Sequence, residues 1–181
     1  MKLDEVKPAL RFLGIFLGGY FILNLIYGIW IESLGKTPDA MTYEVSAEVA
    51  AILNAIGYTA TIQESPSRPV VILFNGNNRI LNVFEGCNGI NVMIVFLSFV
   101  MAFGGARTRM LWFLGVGFVV IHLANLGRIL WLFWLANNHK QLFYYFHKYL
   151  FTAMIYLIVF ALWWMWVTKL NGTTSTTRAT S

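Results

Sequence analysis

The chain has 181 residues, 58% hydrophobic and 17% aromatic but only 12% charged, with a net charge of +5 and a mean hydropathy of +0.64. Soluble domains carry about 25% charged residues, so this balance excludes an ordinary soluble globule and points to an integral membrane protein. The single cysteine excludes an internal disulfide, no Cys/His spacing resembles a zinc site, and no aromatic-interleaved basic patch argues for nucleic acid; no cofactor is expected.

Four apolar runs are expected to cross the bilayer, at residues 9–31, 90–105, 110–136 and 149–167. A helix needs roughly 20 apolar residues to span about 30 Å of hydrocarbon, so the second run extends past both its ends. The first run is too long for a signal-peptide core and has no small-x-small cleavage site, so it reads as an uncleaved anchor. With the N-terminus inside, Lys2, Lys7, Arg11, Arg107, Arg109, Lys169 and Arg178 face the cytoplasm. Lys36, Arg68, Arg79, Lys140 and Lys148 then face outward. The tight "ARTR" loop gives the strongest vote for this orientation.

Residues 32–88 form the only sizeable extracytoplasmic part. "TPDAMTYEVSAEVAAILNAIG" predicts an amphipathic helix with Thr37 or Asp39 as its cap and Gly57 as its stop. "YTATIQ", "PVVILF" and "RILNVF" are β-branched runs, and Asn75-Gly76 marks a hairpin between the last two. The hairpin leads straight into Glu85-Gly86-Cys87. Residues 89–168 then form a three-helix transmembrane region, and the polar tail, residues 169–181, is expected to be disordered and cytoplasmic. The fold class is thus all-α and membrane-spanning, with about four transmembrane helices and a small α+β insertion after the first.

Polar residues inside these runs carry the chemistry. Arg128 stands in "HLANLGRILWLFW", and a cation in hydrocarbon costs about 2.5–3.5 kcal/mol by insertion scales. If the run ends near residue 136, Arg128 lies about 12 Å deep at 1.5 Å per residue, too far for easy snorkelling. His122, Asn125 and Arg128 share one arc of the helix. Cys87, between Gly86 and Gly89, begins one run, and His147 begins the last at the same face; His122 falls a turn or two deeper and His139 lies in a loop. A helix start and a neighbouring His and Arg are expected to lower the Cys87 pKa. The plainer alternatives are a cysteine that is a small buried hydrophobe and an arginine that anchors topology. Gly104, Gly105, Gly115 and Gly117 permit close helix approach, in the first place by the chain's own helices.

"EGCNGINVMIVF", "HLANLGRILWL" and "FHKYLF" together resemble the exosortase/archaeosortase family of prokaryotic membrane cysteine transpeptidases, over about residues 80 to 160. The order Cys, Arg, His and the Cys-x-Gly and Asn-x-x-Arg-Ile contexts match, and the short length is similar to the compact exosortase F-type branch. Asn88 stands where many members carry serine. The resemblance implies that Cys87 is the nucleophile, Arg128 the oxyanion or substrate stabiliser and His147 the general acid/base. It implies exported substrates with a C-terminal sorting helix, an amine or lipid acceptor in the envelope, and a place in the bacterial inner membrane with the site facing outward. Two alternatives remain open: a non-enzymatic membrane scaffold or assembly partner for envelope export, and a different acyl-transfer chemistry on the same thiol.

Overall fold

The computed structural model describes residues 3–139, 141, 143, 146 and 151–170. Its helices fall where the apolar runs predict them. Helix α1 (Leu3–Ser33) and helix α4 (Arg107–Asn138) are long and apolar enough to cross a bilayer. Helix α3 (Ile90–Phe103) and helix α5 (Phe151–Met165, continued by a π-helical turn at Trp166–Leu170) are apolar but shorter. The protein is mostly helical, with two candidate membrane spans and one small sheet.

Helix α1 leaves Phe21, Ile22, Leu25 and Ile29 outside the protein core, a surface that is costly in water and natural against lipid tails. Its other side packs on α3. Phe12 meets Phe99 edge-on at 5.3 Å and Phe103 at 6.3 Å. Further along, Gly19 lets the helices close on Ser98, whose side chain lies 3.6 Å from where a Cβ would stand. Gly117 of α4 is filled by Phe96 of α3, with ring atoms 2.3 Å from the Cβ position. The glycine is therefore used for packing within the chain, whereas Gly115 faces open space.

Between α1 and α3 lies the small α+β unit. Helix α2 (Ala40–Ala55) starts at Asp39, whose carboxylate accepts from the Thr42 backbone N–H at 3.0 Å; such a cap contributes about 1 kcal/mol. It stops at Gly57, with φ +96°. The strands β1 (Ala60–Glu64), β2 (Val71–Asn75) and β3 (Asn78–Val83) form an antiparallel meander in chain order. Asn75 pairs with Asn78 around the two-residue turn Gly76-Asn77, one residue later than Asn75-Gly76, and Gly76 at its first position has φ +57°, where a hairpin turn favours glycine. The register shifts by a bulge between Leu73 and Phe74.

The core explains why α4 is so long. At 1.5 Å per residue its 32 residues reach about 48 Å, well beyond about 30 Å of hydrocarbon. The excess is covered by protein. Leu126, Ile129, Leu132, Phe133 and Leu135 pack with Val45, Val49 and Leu53 of α2 and with strand residues Leu73, Leu81 and Val83. Tyr58 meets Phe133 edge-on at 5.7 Å. A second cluster joins Phe96 and Val100 of α3, Phe113 and Ile121 of α4, and Leu162 and Trp166. One face of residues 126–136 packs on the α+β unit, while Trp131 and Trp134 on the other face stay exposed. Arg128 stands in this stretch, close enough to Cys87 for its charge to act on the thiol.

Candidate active site

Strand β3 ends at Val83, and the chain tightens into a 3-10 turn at Glu85–Cys87 before entering α3. The Cys87 N–H donates to the Phe84 carbonyl at 2.7 Å. Gly89 then takes φ +87° at the N-cap of α3, a left-handed conformation that costs a side-chain-bearing residue roughly 1–2 kcal/mol. It lets the chain turn from the 3-10 segment into α3, leaving Cys87 on the inside of the corner with 4% of its surface exposed.

Asn88 holds the corner. It is fully buried. Its amide donates to Tyr27 Oη at 2.9 Å, Asp39 Oδ1 at 3.1 Å and Thr42 Oγ1 at 3.3 Å. Its carbonyl oxygen accepts from the Ile90 N–H at 2.9 Å, closing one of the free donors of the α3 start. Thr42 Oγ1 in turn donates to Asp39 Oδ2. One side chain thus ties the cysteine turn to α1, α2 and α3. Sequence reading passed over Asn88 as a substitution beside the cysteine. The available signal was a polar residue that cannot face lipid, placed between the thiol and the helix-starting glycine.

Helix α4 closes the other side. Asn125 is buried and its amide donates to the Cys87 carbonyl at 2.7 Å. Arg128, on the same arc, is half-buried, and its buried Nε has no hydrogen-bond partner. Its charge acts on the thiol. Burial pushes the Cys87 pKa above the ordinary thiol value, while Arg128 and the Phe84 backbone pull it back and Glu85 adds to the rise. The expected lowering is therefore corrected. The α3 donors that would have met a thiolate are partly taken by Asn88, and desolvation favours the neutral thiol.

His122 also differs from expectation. Its Nε2 lies 2.8 Å from Glu48 Oε2 on α2, with the His and Glu side chains 24% and 44% exposed. It is not isolated in the bilayer but reaches the same α2 helix that grips Asn88, and its buried Nδ1 has no partner. His139 caps the end of α4 at Trp134. His147 lies outside the described residues; its neighbour Phe146 and nearby Phe143 pack against the apolar cluster that contains Cys87. Among the described residues no group of three His, Cys, Asp or Glu stands together to hold a metal ion.

A buried lone thiol at a sheet-to-helix corner, held by Asn125 and faced by Arg128, sits on an apolar helical frame. The family model described as transmembrane exosortase matches residues 9–170. The chain belongs to the transmembrane exosortase family. The exosortase match reaches far beyond residues 80 to 160, taking in α1, α2 and the sheet, the elements that hold Asn88 and cover α4. The match and the two long apolar helices place the protein in a membrane. No curated protein and no solved structure matches the chain.

Proposed function

We propose that this exosortase is a membrane cysteine transpeptidase that removes C-terminal sorting signals from exported proteins and joins the new C-terminus to an envelope acceptor. The observation that carries the reading is the chain's one thiol beside an arginine whose buried Nε has no hydrogen-bond partner among the described residues. Such a cation is held at a cost, which substrate charge offsets. Four helices cross the bacterial inner membrane, with both termini and the "ARTR" loop inside and the α+β unit outside. The short chain fits the compact F-type branch.

The reaction runs through a thioester. His147 accepts the Cys87 proton as Sγ bonds to the carbonyl carbon before the sorting helix, and Arg128 holds the resulting oxyanion. The C–N bond breaks as His147 returns the proton to the leaving amine. An acceptor amine, a lipid nucleophile or water then attacks the thioester, its proton passing through His147 to the Cys87 sulfur as that sulfur leaves. The raised thiol pKa suits this order, because the proton leaves only when a base and a substrate are both in place.

One observation favours a second base. His122 is oriented by Glu48 as a catalytic imidazole is oriented by a carboxylate, and it lies one turn from Asn125. The two histidines are separated by replacing each with alanine and following a sorting-signal reporter.

The overall reading is tested by trapping. The full-length enzyme in membranes, incubated with a reporter carrying a sorting helix and quenched in acid, should yield a Cys87-linked acyl fragment by mass spectrometry. Processing by wild-type enzyme without such an adduct, and equally by Cys87→Ser, would leave only the scaffold alternative.

A further inference from the structure

The cysteine turn is held at two points, and the two grips fix different things. Asn88 ties the turn to α1 and α2 through Tyr27, Asp39 and Thr42. Asn125 ties it to α4, the helix that carries Arg128. Among the described residues the bond from its amide to the Cys87 carbonyl, 2.7 Å long, is the one hydrogen bond between the cysteine turn and that helix.

The Asn125 amide has little freedom. The residue is 2% exposed, and its Cγ and Nδ2 lie 3.5 and 3.6 Å from where a Gly89 Cβ would stand. It fills the space between the Cys87 carbonyl and the left-handed Gly89. Asn125 and Arg128 are three residues apart, about 4.5 Å along the helix axis. Holding the Cys87 backbone at Asn125 therefore fixes its height against the base of the arginine side chain. The buried Arg128 Nε makes no hydrogen bond among the described residues that would fix the same distance from the other end. The distance matters because the pull of a charge on a thiolate falls as they separate, and Arg128 is the largest influence lowering the Cys87 pKa. We infer that Asn125 is a positioning residue, which sets the spacing between the Cys87 thiol and the Arg128 guanidinium by holding the Cys87 carbonyl. Its importance in catalysis rests on the reading that these two groups share one reaction.

The test compares full-length variants in detergent by the pH midpoint of alkylation with iodoacetamide, a signal that belongs to Cys87 alone because the chain has one cysteine. No substrate enters, so failure here is distinct from failure of the transpeptidase reading. Arg128→Gln should raise the midpoint in the wild-type background. In the Asn125→Ala background the same replacement should raise it much less, since the arginine no longer stands at a fixed distance. Asn125→Leu keeps bulk beside Gly89 without a donor and should behave as alanine does, so the comparison survives if one of the two variants fails to fold. Tyr27→Phe removes one of the three Asn88 acceptors and should leave the Arg128-dependent shift intact. An equal shift in wild-type, Asn125→Ala and Asn125→Leu backgrounds would reduce Asn125 to a structural bond and overturn the proposal. So would an equal loss of the shift in Tyr27→Phe, because the spacing would then belong to the whole corner. With a sorting-signal reporter, Asn125→Ala should lower kcat by up to about a hundredfold, the cost of a displacement of about 1 Å, with KM nearly unchanged. A raised KM at unchanged kcat would move Asn125 to substrate binding and also overturn the positioning role.

Discussion

Burial pushes the Cys87 pKa above the ordinary thiol value, and the Arg128 charge is the largest influence that opposes it. The alkylation rate of Cys87 by iodoacetamide should therefore rise with pH through a midpoint above about 8.5, the ordinary thiol value. Arg128→Gln removes a lowering influence and should move that midpoint further up. A midpoint below that of free cysteine would show that the thiolate is stabilised before substrate arrives. The linkage has the same sign. The folded state holds the proton more tightly than the unfolded chain, so the thiol's contribution is fully present below the unfolded pKa and is lost as pH rises toward the folded one. In catalysis, Cys87→Ser should abolish processing, because a hydroxyl is far less acidic than a thiol. Arg128→Lys keeps the charge but loses the planar fork, and should lower the cleavage rate by roughly 10²–10³, the cost of one oxyanion donor. A topological anchor would accept lysine freely. His147→Ala should be as damaging as Arg128→Lys, and His122→Ala milder, since its partly exposed bond to Glu48 belongs to a class worth about 0–1 kcal/mol. A dead His122→Ala beside an active His147→Ala would transfer the base to α4. Cys87 and Arg128 were legible because a lone thiol between glycines and a cation within an apolar run both break a pattern. Asn125 showed only as part of a polar arc and Asn88 only as a departure beside the cysteine, because their roles lie in contacts 38 to 61 residues away.

At the scale of elements, the glycines divide by what their missing side chains permit. Gly89 is required by its φ of +87° rather than by lack of space, since Asn125 stands 3.5 Å from the Cβ position. Gly89→Ala should cost about 1–2 kcal/mol and shift the cysteine turn, lowering activity more than stability. Gly117 is required by space, because Phe96 fills its place and is itself fully buried. Gly117→Ala should cost about 1–3 kcal/mol, as overpacking does, and Phe96→Leu should recover part of that loss in the double variant. Gly115→Ala meets nothing within 4 Å and should be neutral or gain up to about 1 kcal/mol in helix propensity. Thermal denaturation in detergent, with the three alanines side by side, checks the order. Equal destabilisation at Gly115 and Gly117 would remove the close α3–α4 packing from the account. The sequence carried this region unevenly. The Asn75-Gly76 hairpin, the Asp39 cap and the Gly57 stop are local chemistry and were readable. The choice among four small residues was not, because all share one composition, while Gly117 lies under a ring from another helix and Gly104 and Gly115 meet nothing within 4 Å.

For the whole molecule, the decisive feature is how far α4 extends beyond the hydrocarbon. A hydropathy window registers residues 110–136 as one apolar run, since a side chain buried against Val49 or Leu73 and one facing lipid have the same character. Only the tertiary structure shows that one face of the run's end serves as a core strut for the α+β unit, and that Arg128 in this stretch acts on the cysteine corner. The proposed orientation of that assembly rests on the basic residues, seven on the side assigned to the cytoplasm and five on the other. It can be mapped in whole cells in a Cys87→Ala background, so that each introduced cysteine is the only one present. Asn77→Cys, at the exposed hairpin turn, should react with a membrane-impermeant maleimide in intact cells. Thr108→Cys, in the exposed first turn of α4, should react only after permeabilisation. The two positions lie at opposite ends of the helices, so a correct orientation requires opposite results. Labelling of Thr108→Cys but not Asn77→Cys in intact cells would invert the protein, place the Cys87 corner in the cytoplasm and rule out the outward-facing site. Labelling of both would mean that the short helices α3 and α5 do not hold the two ends on opposite sides of the membrane.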